Sequence, residues 1–196
     1  MFEGFDQMRE LRITNCQLRQ LTDATFAGLP KLRALHLTQF SSSSPNFPPK
    51  LFRQINSLEK LTLADSAIEN IPQGVLCSLR FLQILNVSSN KISNARLGVD
   101  TSDCILDHLI ILDLGKNRLR HISSADFNPF PSLRQLSLSK NGLRGMELEA
   151  FRAINLIQRL DLDHNHLREV APLPESLYHL NLAHNNLAVI PPPLQI

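Results

Sequence analysis

Leucine and similar apolar residues recur along this chain in one fixed pattern, about every 24 residues. Within each copy they occupy positions 1, 4, 6 and 11, and position 9 is usually asparagine. The segment 109–119, LIILDLGKNRL, is a clean copy that segments 133–143, 157–167 and 177–187 repeat. Eight copies, numbered here as repeats 1–8, begin at Met8, Leu32, Leu58, Leu82, Leu109, Leu133, Ile157 and Leu177. The pattern therefore predicts a solenoid of stacked units.

Positions 4 and 6 alternate with polar neighbours, which is the period of a strand with one buried face. In repeat 5, Leu112 and Leu114 should point inward and Asp113 outward. No repeat can bury its apolar face alone, so the strands should stack as a parallel sheet on the concave side. This is the leucine-rich repeat signature.

A second apolar set predicts loops and short helical turns on the convex side. Its members precede another apolar residue by three, and they are Phe26, Phe52, Leu76, Phe127 and Phe151. The fold class is therefore α/β: a curved leucine-rich repeat solenoid with a parallel concave β-sheet.

Position 9 should form a structural ladder inside the solenoid. An amide carries both donor and acceptor groups, so it can satisfy backbone groups where the strand turns away. Cys16 and Ser66 fill this slot in early repeats, Phe40 breaks the pattern, and Cys16 should be structural and buried. The ladder asparagines are Asn90, Asn117, Asn141, Asn165 and Asn185.

The whole chain, residues 1–196, is expected to be one solenoid. It is 43% hydrophobic, enough for a sizeable core. Its start resembles the tail of an earlier repeat, it stops inside a repeat, and neither end shows a polar cap, so we expect a fragment of a longer protein. The segments 40–49 and 94–104 lengthen two repeats and are either tolerated surface loops or contact loops on one rim.

Charge and hydropathy exclude several classes of protein. The net charge is +2, from 20 basic and 18 acidic residues without a basic block, so a nucleic-acid partner is not expected. No segment approaches the ~20 apolar residues of a membrane span. A membrane connection would therefore require segments outside this chain.

Two cysteines and one sequon bear on the compartment. Cys77 and Cys104 occupy the same register in adjacent repeats, so they are either disulfide-bonded or two reduced thiols. A bridge implies an oxidising compartment. Asn86-Val87-Ser88 is a glycosylation sequon on a concave strand. Together the two features favour a secreted or cell-surface protein.

The stretch 58–114 resembles the ectodomain of invertebrate Toll receptors, especially the 18-wheeler and Tollo branch. The similar features are Ile71-Pro72, Leu76-Cys77-Ser78-Leu79, the strand around Asn86, and an irregular insertion that contains Leu97-Gly98 and Cys104. The resemblance implies a type I membrane receptor with a cytoplasmic signalling domain. It also implies, as one candidate partner, a cystine-knot cytokine of the Spätzle kind.

Catalytic and metal-binding chemistry is not indicated. The run Asp163-His164-Asn165-His166 contains a ladder asparagine, and we interpret its histidines as a solvated or proton-sensitive face rather than metal ligands. His164 and His184 share position 8 of consecutive repeats and should stack. No nucleophile motif, phosphate-binding loop or acid–base pair is present, so we expect no enzyme and no cofactor.

Two surfaces are candidates for partner binding. Arg120, Arg144 and Arg168 follow the position-11 leucine in three successive repeats, with Arg118 nearby. They should form a column that is either a solvated flank whose charges can pair with Glu147 or Glu169, or a stripe for an anionic partner. The second surface consists of isoleucines at usually polar concave positions, where they are exposed to a partner or partly buried by neighbouring strands. They are Ile84, Ile110 and Ile111.

The sequence thus favours an extracellular recognition segment of a Toll-type receptor, which binds a protein ligand or another receptor ectodomain. The main alternative is a cell-adhesion or matrix leucine-rich repeat protein without a signalling domain. An intracellular scaffold would instead have reduced cysteines and no glycan.

Overall fold

An eight-stranded parallel sheet runs through the computed structural model, which describes residues 2–18, 20–40, 47–99 and 104–189. Each repeat contributes one strand, and neighbouring repeats pair in register, with Leu85 opposite Leu112 and Leu112 opposite Leu136. The strands of this sheet are β1 (Glu10–Thr14), β2 (Ala34–Thr38), β3 (Lys60–Thr62), β4 (Ile84–Asn86), β5 (Ile111–Asp113), β7 (Gln135–Ser137), β9 (Arg159–Asp161) and β10 (His179–Asn181). The predicted solenoid is confirmed.

A small second sheet and two short helical turns lie outside the main sheet. A two-stranded parallel sheet pairs β6 (His121–Ile122) with β8 (Gly145–Met146). Short 3₁₀ turns span Arg53–Ile55 and Arg152–Ile154. Each turn follows a buried phenylalanine, and these rings stack between neighbouring repeats, Phe26 on Phe52 at 6.1 Å and Phe127 on Phe151 at 6.3 Å. The convex side is therefore packed by aromatic rings, as the sequence predicts.

Position 8 of every repeat adopts the left-handed backbone conformation, although none of these residues is glycine. The φ angles lie between 52° and 55° for Asn15, Gln39, Asp65, Ser89, Lys116, Lys140, His164 and His184. This conformation costs each residue of order 1 kcal/mol and persists only where the surroundings fix it. In repeats 1–7 the backbone N–H of this residue donates to a carbonyl of the next repeat, for example Lys116 N to Ser139 O at 2.8 Å.

The irregular insertion in the second half of repeat 4 packs closely on repeat 3. Gly98 has φ +69°, and an added Cβ would lie 2.4 Å from the carbonyl oxygen of Ile71. Only glycine fits this contact. Part of each lengthened segment, residues 41–46 and 100–103, lies outside the described residues, so the rim-contact hypothesis for them stays a prediction.

Candidate functional site

The concave face presents one outward side chain from position 5 of each repeat. This column is polar and consists of Arg12, His36, Thr62, Asn86, Asp113, Ser137, Asp161 and Asn181. Across repeats 5–7 the face contains a shallow depression of about 200 Å³. Ile111, Gln135 and Arg159 line the depression in one row across the strands, and Asp113, Ser137 and Asp161 line it in a second row two residues further along. The depression can therefore accept both polar and apolar groups of a partner.

An acidic pair and two histidines lie at the end of this face. Burial raises the pKa of the Asp161 carboxyl, and a hydrogen bond with Asp163 adds to that effect. Burial also opposes ionisation of Asp163, but hydrogen bonds with His164 and Asp161 outweigh it and lower its pKa. The Asp163 carboxylate contacts Nδ1 of His164, and the His164 and His184 rings stack at 4.1 Å as expected.

These groups do not converge as metal ligands would. Within the described residues, no cluster of three His, Cys, Asp or Glu side chains could hold a metal ion. The histidines instead belong to the exposed flank that follows the strands.

The position-9 asparagines connect each repeat to the one before it. Asn117 Nδ2 donates to Val87 O and Leu114 O at 3.0 Å and to Gly115 O at 3.2 Å, while its Oδ1 accepts from Ile92 N at 2.9 Å. The same geometry recurs at Asn90, Asn141, Asn165 and Asn185. Ser66 fills the slot with its hydroxyl, which donates to Ala64 O at 2.8 Å. The ladder thus satisfies backbone groups at the turn, which is its structural role.

Cys16 departs from the prediction that it is buried. The residue is exposed, and its thiol donates weakly to Thr14 O within the same repeat at 3.3 Å. The physical reason is its place in the first repeat, where no preceding described repeat covers that side. A thiol also lacks the paired donor and acceptor of an amide, so it cannot link two repeats.

Cys77 and Cys104 form a disulfide in the structure. Their Cα atoms are 5.1 Å apart, and the bond closes a sequence separation of 27 residues. Cys104 is buried and belongs to the hydrophobic core, while Cys77 packs against it. The bond therefore joins the end of the insertion to the convex side of repeat 3.

We expect non-reducing peptide mapping of secreted protein to find one cross-linked peptide pair containing Cys77 and Cys104. Their shared register and the 5.1 Å Cα separation motivate this expectation. Cys16 serves as the internal control, because its exposed thiol should alkylate without reduction. Ready alkylation of all three cysteines would contradict both the bridge and the oxidising compartment.

We expect Asn86 to carry a glycan when the chain is made in a secretory pathway. Its side chain lies half-buried on the concave face, where Oδ1 accepts from Ser88 N at 2.9 Å and Ser88 Oγ at 2.7 Å. A glycan there would cover the middle of the concave face and leave both flanks open. Intact-glycopeptide mass spectrometry measures the occupancy, and Asn86 recovered largely unmodified would refute the prediction.

The flank that follows the strands, called here the trailing flank, carries the predicted arginine column. Arg120, Arg144 and Arg168 are exposed, and Arg144 N donates to Arg120 O at 3.0 Å, so their backbones lie in adjacent repeats. Within the described residues none of the three forms an ion pair. The Glu147 carboxylate instead accepts a hydrogen bond from Ser124 N at 2.8 Å, and this hydrogen bond lowers the pKa of Glu147.

The flank that precedes the strands, called here the leading flank, carries the predicted apolar surface. Ile84 and Ile111 are paired across β4 and β5, and both are half-buried, as is Ile110. The structure adds Phe81, which is 56% exposed and lies against the His108 ring at 5.9 Å. Sequence reasoning missed Phe81 because it lies one residue before position 1. The apolar patch therefore comprises Phe81, Ile84, Ile110 and Ile111.

The fold and these surfaces define a leucine-rich repeat protein. The leucine-rich repeat family model matches residues 6–64 and 107–167, and a single-repeat model matches residues 176–195. The chain belongs to this family. No helix in the described part of the chain is long and apolar enough to cross a bilayer.

Two curated proteins and one solved structure are similar to this chain. The chain is 31% identical over 137 residues to Toll-like receptor 7 of Drosophila melanogaster, which covers 64% of this chain and 10% of that receptor. It is 28% identical over 174 residues to human Podocan-like protein 1, which covers 66% of the chain and 34% of that protein. A solved Toll–Spätzle complex of Drosophila superposes with TM-score 0.78 and 25% identity, over 93% of this chain and 26% of that one. The chain therefore spans a small part of each relative.

Proposed function

We propose that this chain is an extracellular, non-catalytic recognition segment of a Toll-type receptor that binds a protein ligand or a second receptor ectodomain. The similarity to Toll-like receptor 7, which includes the disulfide region, carries the proposal. The 18-wheeler and Tollo branch is the finer assignment within it.

The leading flank is the protein-binding surface in this proposal. Protein interfaces have an apolar core with aromatic anchors and a polar rim. Phe81 supplies an exposed aromatic ring, and the three isoleucines extend the apolar surface toward the depression across repeats 5–7. Arg134 and Gln83 are exposed beside the patch and would form part of its rim. A glycan on Asn86 would border the patch without covering Phe81.

A solved relative supports one class of protein partner. The Toll–Spätzle complex makes a cystine-knot cytokine of the Spätzle kind the first partner to test. The secreted chain should bind such a cytokine from its own species in a surface plasmon resonance experiment. The parent precursor provides the second test, because a receptor requires a transmembrane span followed by a Toll/interleukin-receptor domain.

A cell-adhesion or matrix protein is the second candidate function, and the similarity to Podocan-like protein 1 favours it. The two candidates differ in the parent precursor. A secreted precursor that ends after the repeats, without a span or signalling domain, would replace the receptor proposal with this one.

A further inference from the structure

The trailing flank of repeats 5–7 concentrates positive charge. Nine positions, the eighth, tenth and twelfth of each repeat, define a surface called here the basic flank. Its residues are Lys116, Arg118, Arg120, Lys140, Gly142, Arg144, His164, His166 and Arg168. Six of them are lysine or arginine and none is acidic, while the whole chain has a net charge of only +2. The rest of the chain is therefore net acidic.

The backbone fixes these side chains in rows. Each tenth residue donates from its backbone N to the preceding repeat: Arg118 N to Ile92 O at 2.8 Å, Gly142 N to Leu119 O at 2.9 Å, and His166 N to Leu143 O at 2.8 Å. Each eighth residue donates to the following repeat in the same way. Adjacent rows are therefore separated by the strand spacing of about 4.8 Å. Every charged or imidazole side chain of the basic flank is exposed.

Few acidic groups neutralise this surface. Within the described residues the six lysines and arginines form no ion pair, and Asp163, which contacts His164, is the carboxylate bound to the flank. The positive charge does not extend to repeat 3, which carries Asp65, Ala67 and Glu69 at the corresponding positions. Closely spaced like charges repel one another, and water, dissolved salt or a bound anion must compensate them. The basic flank is thus a bounded patch of positive charge without ion-pair partners among the described residues.

We propose that the basic flank binds a sulfated polysaccharide of the glycosaminoglycan class. Arginine forks form paired hydrogen bonds with oxyanions such as sulfate, and the lysines add point charges beside them. None of the nine positions carries phenylalanine, tyrosine or tryptophan, and His164 and His166 supply its only rings, whereas single-stranded nucleic acids are bound by several aromatic side chains that stack on successive bases. None carries a large apolar side chain, whereas protein interfaces need an apolar core. This site is independent of the leading flank and of the proposed receptor role.

Heparin binding tests the proposal on the complete chain. Immobilised heparin should capture the wild-type protein, and affinity should fall steeply with added salt because bound counterions are released. The triple variant Arg120→Glu, Arg144→Glu, Arg168→Glu should lose affinity about tenfold or more at low salt. The matched control is Arg9→Glu, Arg53→Glu, Arg80→Glu, which makes the same charge change at exposed arginines outside the flank. It should bind heparin nearly as wild type does.

Soluble competitors identify the ligand chemistry. Heparin should displace the protein, while chemically desulfated heparin, poly-glutamate and a single-stranded RNA oligonucleotide should compete at least about tenfold more weakly. Equal losses in both triple variants would overturn the proposal, because binding would then follow net charge. Competition by RNA or poly-glutamate as strong as that by heparin would also overturn it. If the Glu variant misfolds by circular dichroism, Arg120→Gln, Arg144→Gln, Arg168→Gln replaces it under the same criteria.

Discussion

Replacing Asn117 with alanine is expected to lower the free energy of unfolding by about 3 kcal/mol. The buried amide makes four hydrogen bonds, three to carbonyls and one from Ile92 N. The carbonyls of Val87 and Leu114 keep a second donor from the neighbouring ladder residues Asn90 and Asn141. Ile92 N loses its acceptor inside the solenoid, so most of the cost comes from this unsatisfied donor and from the cavity.

Chemical denaturation measures this effect against a matched control. Asn128 is exposed, so Asn128→Ala should change stability by no more than ~0.5 kcal/mol. The slope of the unfolding free energy against denaturant concentration should match that of wild type, because both variants expose about the same surface on unfolding as wild type does. A loss below ~1 kcal/mol in Asn117→Ala would mean that water replaces the amide, and the ladder would then be dispensable.

The periodic features of the fold were predictable because each depends on residue types at one position. The leucine or valine at positions 4 and 6 is buried in every central repeat, since one inward side chain per pleat must be apolar. Asparagine at position 9 is identifiable for the same reason: few side chains both donate and accept. Register predicted that Cys77 and Cys104 are neighbours, because equivalent positions of adjacent repeats are close in space, but it left a bridge and two reduced thiols as alternatives.

The remaining features depend on the surroundings rather than on residue type. The left-handed residues at position 8 are all polar but differ in charge and size, as Asp65, Lys116 and His164 do, because hydrogen bonds to the next repeat set their conformation. Cys16 fills the ladder slot in sequence but lies in a repeat without a described neighbour on that side. The repeat pattern identifies only the apolar residues that point inward, so it does not identify an exposed aromatic side chain such as Phe81.

The chemistry of the flanks was visible in sequence only in part. Three arginines at one position predicted a column, but the wider basic flank combines three positions, whose exposure and backbone hydrogen bonds between repeats are seen only in the structure. Similarly, the isoleucines predicted an apolar surface, but the sequence pattern did not show that Phe81 belongs to it. The two flanks therefore differ in chemistry, one apolar and one cationic, while the concave face between them carries the sequon at Asn86.

Charged substitutions in the apolar patch are expected to abolish most binding of a protein partner. Phe81→Glu and Ile110→Glu should each weaken binding of a Spätzle-type cytokine at least about tenfold, and the double variant about a hundredfold or more, roughly 2.7 kcal/mol. The reason is that a desolvated aromatic anchor contributes more than the surrounding rim, and a buried carboxylate without a partner is costly. Phe81 is largely exposed, so its substitution should not unfold the chain.

The control for this experiment is Leu148→Glu, because Leu148 is 74% exposed and lies just after β8, away from the leading flank. It introduces the same charge and should bind the cytokine as wild type does. Surface plasmon resonance at physiological salt gives both rate constants, and the loss should lie mainly in faster dissociation. If wild type binds and Phe81→Glu binds equally well, the partner surface lies elsewhere on the solenoid. If Leu148→Glu loses binding as strongly, charge alone accounts for the effect and the leading flank has no special role.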